Sequence, residues 1–402
     1  MLNPNEAWQK IAAVLSPLEV VDRPRRSTAH LVLGRDIVAT IDVPGSDVSA
    51  MDGYALRPAE REQREFAVVG TIAAGQPPGF ELEPGKAVRI MTGAPVPSDA
   101  ERVVPIEQTD RGTDRVRVED SAEPGAHIRQ RGEILEAGDP LLARGTLLTP
   151  GALGLLATHG ISDVPVVRPP KVAILTTGDE IVPPEETPAP GQLRDSHTDF
   201  LVAAVRSTFA EPEALGIAPD DPAQLRQRIG EGFSADVLLL SGGVSMGEFD
   251  LVEGVLAEAG CSVLFDAVAI QPGKPMVAAI RKGTLIFGLP GNPASAMVCF
   301  WLFVRPALRR LMGIDDAFWK GALPGRLVAP MPGARSRDLF LPAEIRFQAG
   351  EILVRPHPPR GSHDLAAYGR GTALVYAPAN SEPAPAGRPC EILPLGDWVG
   401  TI

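Results

Sequence analysis

The middle of the chain alternates unbroken apolar runs with amphipathic stretches, and its flanks do not. Residues 237–240 (Val-Leu-Leu-Leu) carry no polar alternation, the pattern of a strand covered on both faces. Residues 171–176, 263–270 and 285–288 read as further strands. Residues 201–208, 223–229, 251–259 and 294–311 have helical spacing, with Leu251, Val252, Val255 and Leu256 sharing one side of the third. The alternation predicts a doubly wound, parallel α/β sheet. Upstream, residues 5–15 place Trp8, Ile11, Ala12 and Leu15 on one helical face until Pro17 stops it. Residues 27–37, with Ser27 as N-cap, and residues 147–159 suggest two more helices. Between these, residues 56–134 hold short β-branched runs at close turn spacing, as in a small all-β module. After Gly313, short strands and many prolines predict a β-barrel or sandwich.

At 402 residues the chain exceeds what one core supports, so two to four domains are expected. The net charge of −12 argues against a general nucleic-acid or anionic-membrane binder, while leaving room for a local anion pocket. Cys261, Cys299 and Cys390 lie far apart beside apolar runs and read as small buried hydrophobes in a reducing compartment. With no signal peptide and no long apolar segment, a cytoplasmic protein is expected.

The strand ends carry the candidate chemistry. Open α/β sheets bind ligands beyond the carboxyl ends of their strands. Four loops are expected there: Thr177-Gly178-Asp179-Glu180, Ser241-Gly242-Gly243, Pro272-Gly273-Lys274-Pro275 and Pro290-Gly291-Asn292-Pro293. Glycines let backbone N–H groups approach an anion, and Lys274 adds a cation. The Ser241 turn reads equally as a plain strand-to-helix turn, and it has neither P-loop nor dinucleotide spacing. Asn292 and Pro293 suit a simple helix cap at least as well as an anion site. Asp179, Glu180, Glu248 and Asp250 would repel phosphate unless a divalent cation lay between, and Mg²⁺ takes one or two carboxylates plus phosphates. A solvated face is the preferred reading of Glu248. Asp52 and Thr92, each before a glycine, read as turns or as site residues. His159, His197 and His363 show no partner spacing.

Six motifs occur in order: Ser-Ala-Met-Asp-Gly-Tyr-Ala at 49–55, Met-Thr-Gly-Ala-Pro-Val-Pro at 91–97, Thr-Gly-Asp-Glu at 177–180, Ser-Gly-Gly-Val-Ser at 241–245, Pro-Gly-Lys-Pro at 272–275 and Leu-Pro-Gly-Asn-Pro at 289–293. Together they closely resemble the molybdopterin molybdenumtransferase family, that of MoeA and the gephyrin E-domain, over nearly the whole chain. The resemblance implies four modules: a helical linker (1–48 and 136–168), an inserted β lever (49–135), an α/β molybdopterin-binding module (169–316) and a C-terminal β-barrel (317–402). It implies a homodimer that inserts molybdate into adenylylated molybdopterin and releases AMP with a divalent cation, usually Mg²⁺. It also implies contact with the molybdopterin adenylyltransferase and recipient molybdoenzymes. The α/β loops, with Gly243, Ser245 and Ser295, would hold the pterin ligand and molybdate. Glu180 and Asp250 would be catalytic acids and metal ligands, with Asp221 of the Asp220-Asp221-Pro222 stretch a further ligand or a helix cap. Asp52 and Thr92 would arrive from the second subunit. Three positions depart from the family pattern: Ile134 and Asp195 stand where Asp and Asn are usual, and Gln271 where many members have Lys. The departure at Ile134 makes a carrier or scaffold that binds the ligand without full turnover the alternative.

Overall fold

The computed structural model describes residues 1–57, 63–77, 79, 81–119, 123–242 and 251–396. The chain divides into two compact units: one of residues 24–26 and 35–163, the other of residues 1–23, 27–34 and 164–402. Helix α1 (Pro4–Ala12) belongs to the larger unit. Its Asn3 cap and Glu6 exchange backbone and side-chain hydrogen bonds, and Ala7, Trp8 and Ile11 are buried.

The smaller unit holds a five-stranded sheet of β1 (Gly53–Leu56), β2 (Glu65–Ile72), β3 (Lys86–Ile90), β4 (Arg102–Pro105) and β5 (Arg115–Arg117), in the order β4-β1-β3-β2-β5. Helix α2 (Pro150–Thr158) follows, capped by Thr149. The helix expected over residues 27–37 is absent. His30 sits at φ 64, and Leu31, Val32 and Leu33 are all buried in extended backbone, with Leu33 bridging to Val166. A helix would turn part of that apolar run to solvent, so tertiary burial overrides the local spacing.

The larger unit is built on a six-stranded sheet. Its strands are β6 (Lys171–Thr177), β7 (Glu211–Ala218), β8 (Val237–Ser241), β9 (Ser262–Phe265), β10 (Val277–Arg281) and β11 (Thr284–Leu289), in the order β7-β6-β8-β11-β10-β9. The first four in that order run parallel; β10 is antiparallel to both its neighbours. The sheet is therefore mixed, not wholly parallel. The run at 263–270 is a strand only to Phe265, and β7 and β10 were not foreseen. Alternate residues feed two cores, Val237 and Leu239 on one face, Leu238 and Leu240 on the other. Helices α3 (His197–Ser207), α6 (Pro293–Cys299) and α7 (Arg305–Leu311) cover the first face; α4 (Pro222–Gly232) and α5 (Leu251–Glu258) cover the second. Each fully buried Leu or Phe contributes about 1.5–3 kcal/mol. The single long helix expected at 294–311 is interrupted by a π-helical turn at Phe300–Val304, just before Pro306, which has no N–H to continue an ordinary ladder.

Arg168 clamps the lower ends of β6 and β8. Its guanidinium donates to both oxygens of Asp236 at 2.6 and 2.7 Å and to Glu19 at 2.5 Å, while Lys171 N–H donates to Asp236. Burial disfavours ionised Asp236, but the Arg168 and Lys171 bonds outweigh it and hold the carboxyl below the usual range. Arg168→Ala leaves that carboxylate half-buried and singly bonded, with an expected loss of about 1–3 kcal/mol at pH 7 in urea unfolding. A depressed carboxyl stabilises above its unfolded value and loses that contribution as pH falls through its folded one. The mutational penalty should therefore shrink below about pH 4.

The C-terminal part forms a closed five-stranded barrel of β12 (Leu323–Leu327), β13 (Asp338–Gln348), β14 (Glu351–Pro356), β15 (Ala373–Ala377) and β16 (Pro389–Pro394). The ring runs β13-β14-β12-β16-β15 and closes by the pairing of β15 with β13. Leu341, Ile345, Val354, Val375 and Ile392 fill it, and α8 (Leu365–Arg370) packs beside it. Of the three cysteines only Cys299 is fully buried; Cys261, just before edge strand β9, and Cys390, on β16, are half-buried and pack against the margins of their cores. No helix among the described residues is long and apolar enough to cross a membrane.

Candidate functional site

From β6 the chain crosses to β7 on one side and then to β8 on the other, so a crevice opens beyond the carboxyl ends of β6 and β8. Thr177 ends β6 and Gly178 to Glu180 follow it, Ser241 ends β8 with Gly242 next, and Pro290 to Pro293 follow β11. The Pro272 to Pro275 loop reaches the same edge differently from the expectation. It does not follow a strand of the parallel set but enters the antiparallel β10, whose start lies level with the other strands' ends.

These loops line two cavities in the larger unit. One, of about 460 Å³, is walled by Pro272, Gly273, Lys274, Pro275, Ser295 and Arg337, with Pro358, Pro359, Gly361 and Ser362 opposite. Its cations are Lys274 and Arg337, the latter also donating to the Ile270 carbonyl at 3.3 Å. The other, of about 320 Å³, is walled by Thr177, Glu180, His197, Ser241, Gly242 and Gly291. Asn292 lines both. It occupies the N-cap position of α6 with Pro293 behind it, but its side chain makes no capping bond, so the plain-cap reading does not hold for that amide.

The second cavity is shaped by close backbone approach. Gly242 has φ 95, and a Cβ there would lie 2.4 Å from the Thr177 carbonyl oxygen. Thr177 Oγ1 is buried and has no hydrogen-bond partner among the described residues. Glu180 folds over Gly178, where a Cβ would come within 2.7 Å of the carboxylate. Asp220 N–H donates to Asp179 at 3.0 Å, tying the loop after β7 to the loop after β6. Partial burial, and then the charges of Asp179 and Glu180, push the Asp220 carboxyl up against a bond from the Asp179 backbone. Asp221 caps α4 by accepting from Gln224 N–H at 2.9 Å. Gly243, Ser245, Glu248 and Asp250 lie outside the described residues. Among the described residues no three acidic, His or Cys side chains are grouped to hold a metal.

In the smaller unit, exposed Asp52 accepts from both Thr92 N–H and Thr92 Oγ1 at 2.7 Å. The Thr92 backbone, then its hydroxyl, and the charge of Arg89 hold the Asp52 carboxyl below its usual range. Ile134 is exposed, and its N–H donates to the Val43 carbonyl.

The sequence passed over His197 and Arg337. His197 opens α3 and its Nδ1 is hydrogen-bonded to Ser241 Oγ. Asp195 accepts from the N–H groups of His197 and Thr198, so the carboxyl at this departure position starts the helix. No fixed spacing links these residues to Ser241; only the sheet brings them together.

Residues 2–160 match the model of the MoeA N-terminal region (domain I and II), and residues 173–310 that of a probable molybdopterin-binding domain. Molybdopterin molybdenumtransferase 2 of Mycobacterium tuberculosis is 35% identical over 98% of this chain and its own full length. The chain belongs to the molybdopterin molybdenumtransferase family. The family's Bacillus subtilis member is 33% identical over 92% of this chain and 89% of its own. A solved MoeA structure from Pyrococcus horikoshii superposes with a TM-score of 0.84 at 30% identity, covering 99% of this chain and 100% of that one. The chain is thus an enzyme of molybdenum cofactor biosynthesis.

Proposed function

We propose that the protein inserts molybdate into adenylylated molybdopterin and releases AMP with a divalent cation. The observation that carries this is the pair of cavities meeting at Asn292, one with Lys274 and Arg337, the other with glycine-rich turns and Glu180. The cationic cavity suits a small tetrahedral dianion. The Thr177–Gly242 cavity suits the ligand's phosphates, which would satisfy the Thr177 hydroxyl that has no partner among the described residues. A phosphate next to Glu180 is repelled unless a cation intervenes. Mg²⁺ fits, since it needs only one or two carboxylates beside phosphate oxygens, here Glu180 and, by resemblance, Asp250 and Asp221. When bound, it would neutralise phosphate charge as AMP departs. The chain's own residues orient the ligand: Gly242 admits it to the β6–β8 crevice, Lys274 and Ser295 face the incoming oxyanion, and Asn292 spans both ends.

Asp52 and Thr92 of a second copy complete the cleft in this reading; their exposed, hydrogen-bonded pairing supports a preorganised contact. A homodimer is accordingly proposed. The reading is tested by single-turnover AMP release with Mg²⁺ and molybdate, coupled to activation of an apo-molybdoenzyme. AMP together with an active cofactor is expected. Binding without AMP would instead favour the carrier role to which exposed Ile134, in place of an acid, points.

A further inference from the structure

His197 stands between two of the ligand-facing turns. Its Nδ1 meets Ser241 Oγ at the end of β8, and Gly291 of the loop after β11 lines the same cavity, where its backbone favours the protonated ring. It is buried, 7% exposed, yet lines the same cavity as the unpartnered Thr177 hydroxyl. The neutral ring has one hydrogen. With that hydrogen on Nε2, Nδ1 is bare and accepts the Ser241 hydroxyl. Ser241 then shows the cavity only lone pairs, a poor surface for an anion.

We propose that His197 and Ser241 form a proton-linked switch: when a phosphate-like dianion enters the cavity, His197 takes up one proton from solvent and Ser241 turns its hydroxyl onto the ligand. The balance is simple. Nδ1 takes its proton from solvent and the new Nδ1–H donates to Ser241 Oγ; Ser241 keeps its O–H bond and turns it to donate a hydrogen bond to a ligand oxygen. No covalent bond other than the N–H forms. The site gains one donor and one positive charge at the moment an anion needs both.

Among the described residues, the charged and titratable groups around this cavity come from three directions. Asp195 and Arg194 lie on the segment leading into α3, Glu180 on the loop after β6 and His363 on the barrel loop. Those from β8 and the loop after β11, namely Ser241, Gly242, Gly291, Asn292 and Pro293, are uncharged. Burial holds the ring below its usual range, against the Asp195 charge and the Gly291 backbone, so the empty site is neutral at pH 7. A bound dianion supplies the missing counter-charge and raises it.

The proposal rests on the phosphate reading of this cavity and is tested so that the two can fail separately. AMP with Mg²⁺ is titrated calorimetrically into the full-length protein, in buffers of differing ionisation enthalpy, at several pH values. His197→Gln keeps a hydrogen-bonding side chain but cannot take the proton; AMP's own titration is common to both proteins and cancels. The wild type should take up close to one more proton than the variant. Its affinity should fall up to about tenfold per pH unit more steeply where the ring titrates. Ser241→Ala should keep the proton uptake but bind about tenfold more weakly, since the relayed donor is gone. Equal proton uptake and parallel pH profiles in wild type and His197→Gln would overturn the switch while leaving the phosphate reading intact. Unchanged affinity in Ser241→Ala would overturn the relay. Folded wild type that binds no AMP would overturn both readings.

Discussion

Glu180→Gln is expected to lower single-turnover AMP release by about a hundredfold or more at ordinary Mg²⁺ while leaving the fold in place. The substitution is nearly isosteric, and Glu180 is exposed at a loop, so little packing is lost. What is lost is one negative charge facing the cavity proposed to hold the phosphates. A cation held between that carboxylate and a phosphate loses a charged ligand, and removing one well-placed electrostatic contact to a reacting group costs about 10²–10³ in rate. Raising Mg²⁺ should restore part of the rate, which a purely structural role for Glu180 would not allow. The same change removes one of the charges that push up Asp220, whose carboxyl should move back toward its ordinary value. Wild-type turnover at low Mg²⁺ in the variant would remove Glu180 from the site.

Gly242→Ala should fail in two ways at once. At φ 95 an L side chain costs about 1–2 kcal/mol of backbone strain. Its Cβ would also lie 2.4 Å from the Thr177 carbonyl oxygen and 3.1 Å from Thr177 Oγ1, well inside van der Waals contact. The obstruction is backbone at the end of β6, so no side-chain rotation relieves it. A loss of about 2–4 kcal/mol in stability is expected from strain and overpacking together. AMP binding should weaken by about a hundredfold even in protein that remains folded, because spreading the β6 and β8 ends by an ångström misplaces both cradles. Denaturant unfolding and calorimetric binding measure the two effects. Native stability with native affinity would mean the two strand ends are not held at this separation in solution.

Much of the larger unit is decided by local pattern. The run at 237–240 is apolar on both faces, and only a strand between two helical layers satisfies it. Thr177, Ser241 and Asn292 were legible as cavity-lining candidates because each lies at or just past the carboxyl end of such a run, beside a glycine that can take unusual backbone geometry. The barrel was legible only as a class. Its closure depends on β13 pairing with both β14 and β15, a long-range choice that no short window encodes. Helix capping and strand burial misled in two places, at 27–37 and 263–270, where tertiary burial and the return through β10 outweighed local spacing.

Sequence by itself determined which glycine-rich loops gather at the sheet edge as candidates, much of the strand-and-helix alternation of the central sheet, and the family, because glycine, proline and unbroken apolar runs act within a few residues of themselves. Tertiary structure alone decided that Asn292 joins two cavities instead of capping a helix, that Arg337 from the barrel joins Lys274, and that His197 reaches Ser241 across 44 residues of chain. The physical reason is the range of the forces. Backbone geometry and patterning are local, whereas a side chain's hydrogen-bond partner is chosen by the packing of whole layers.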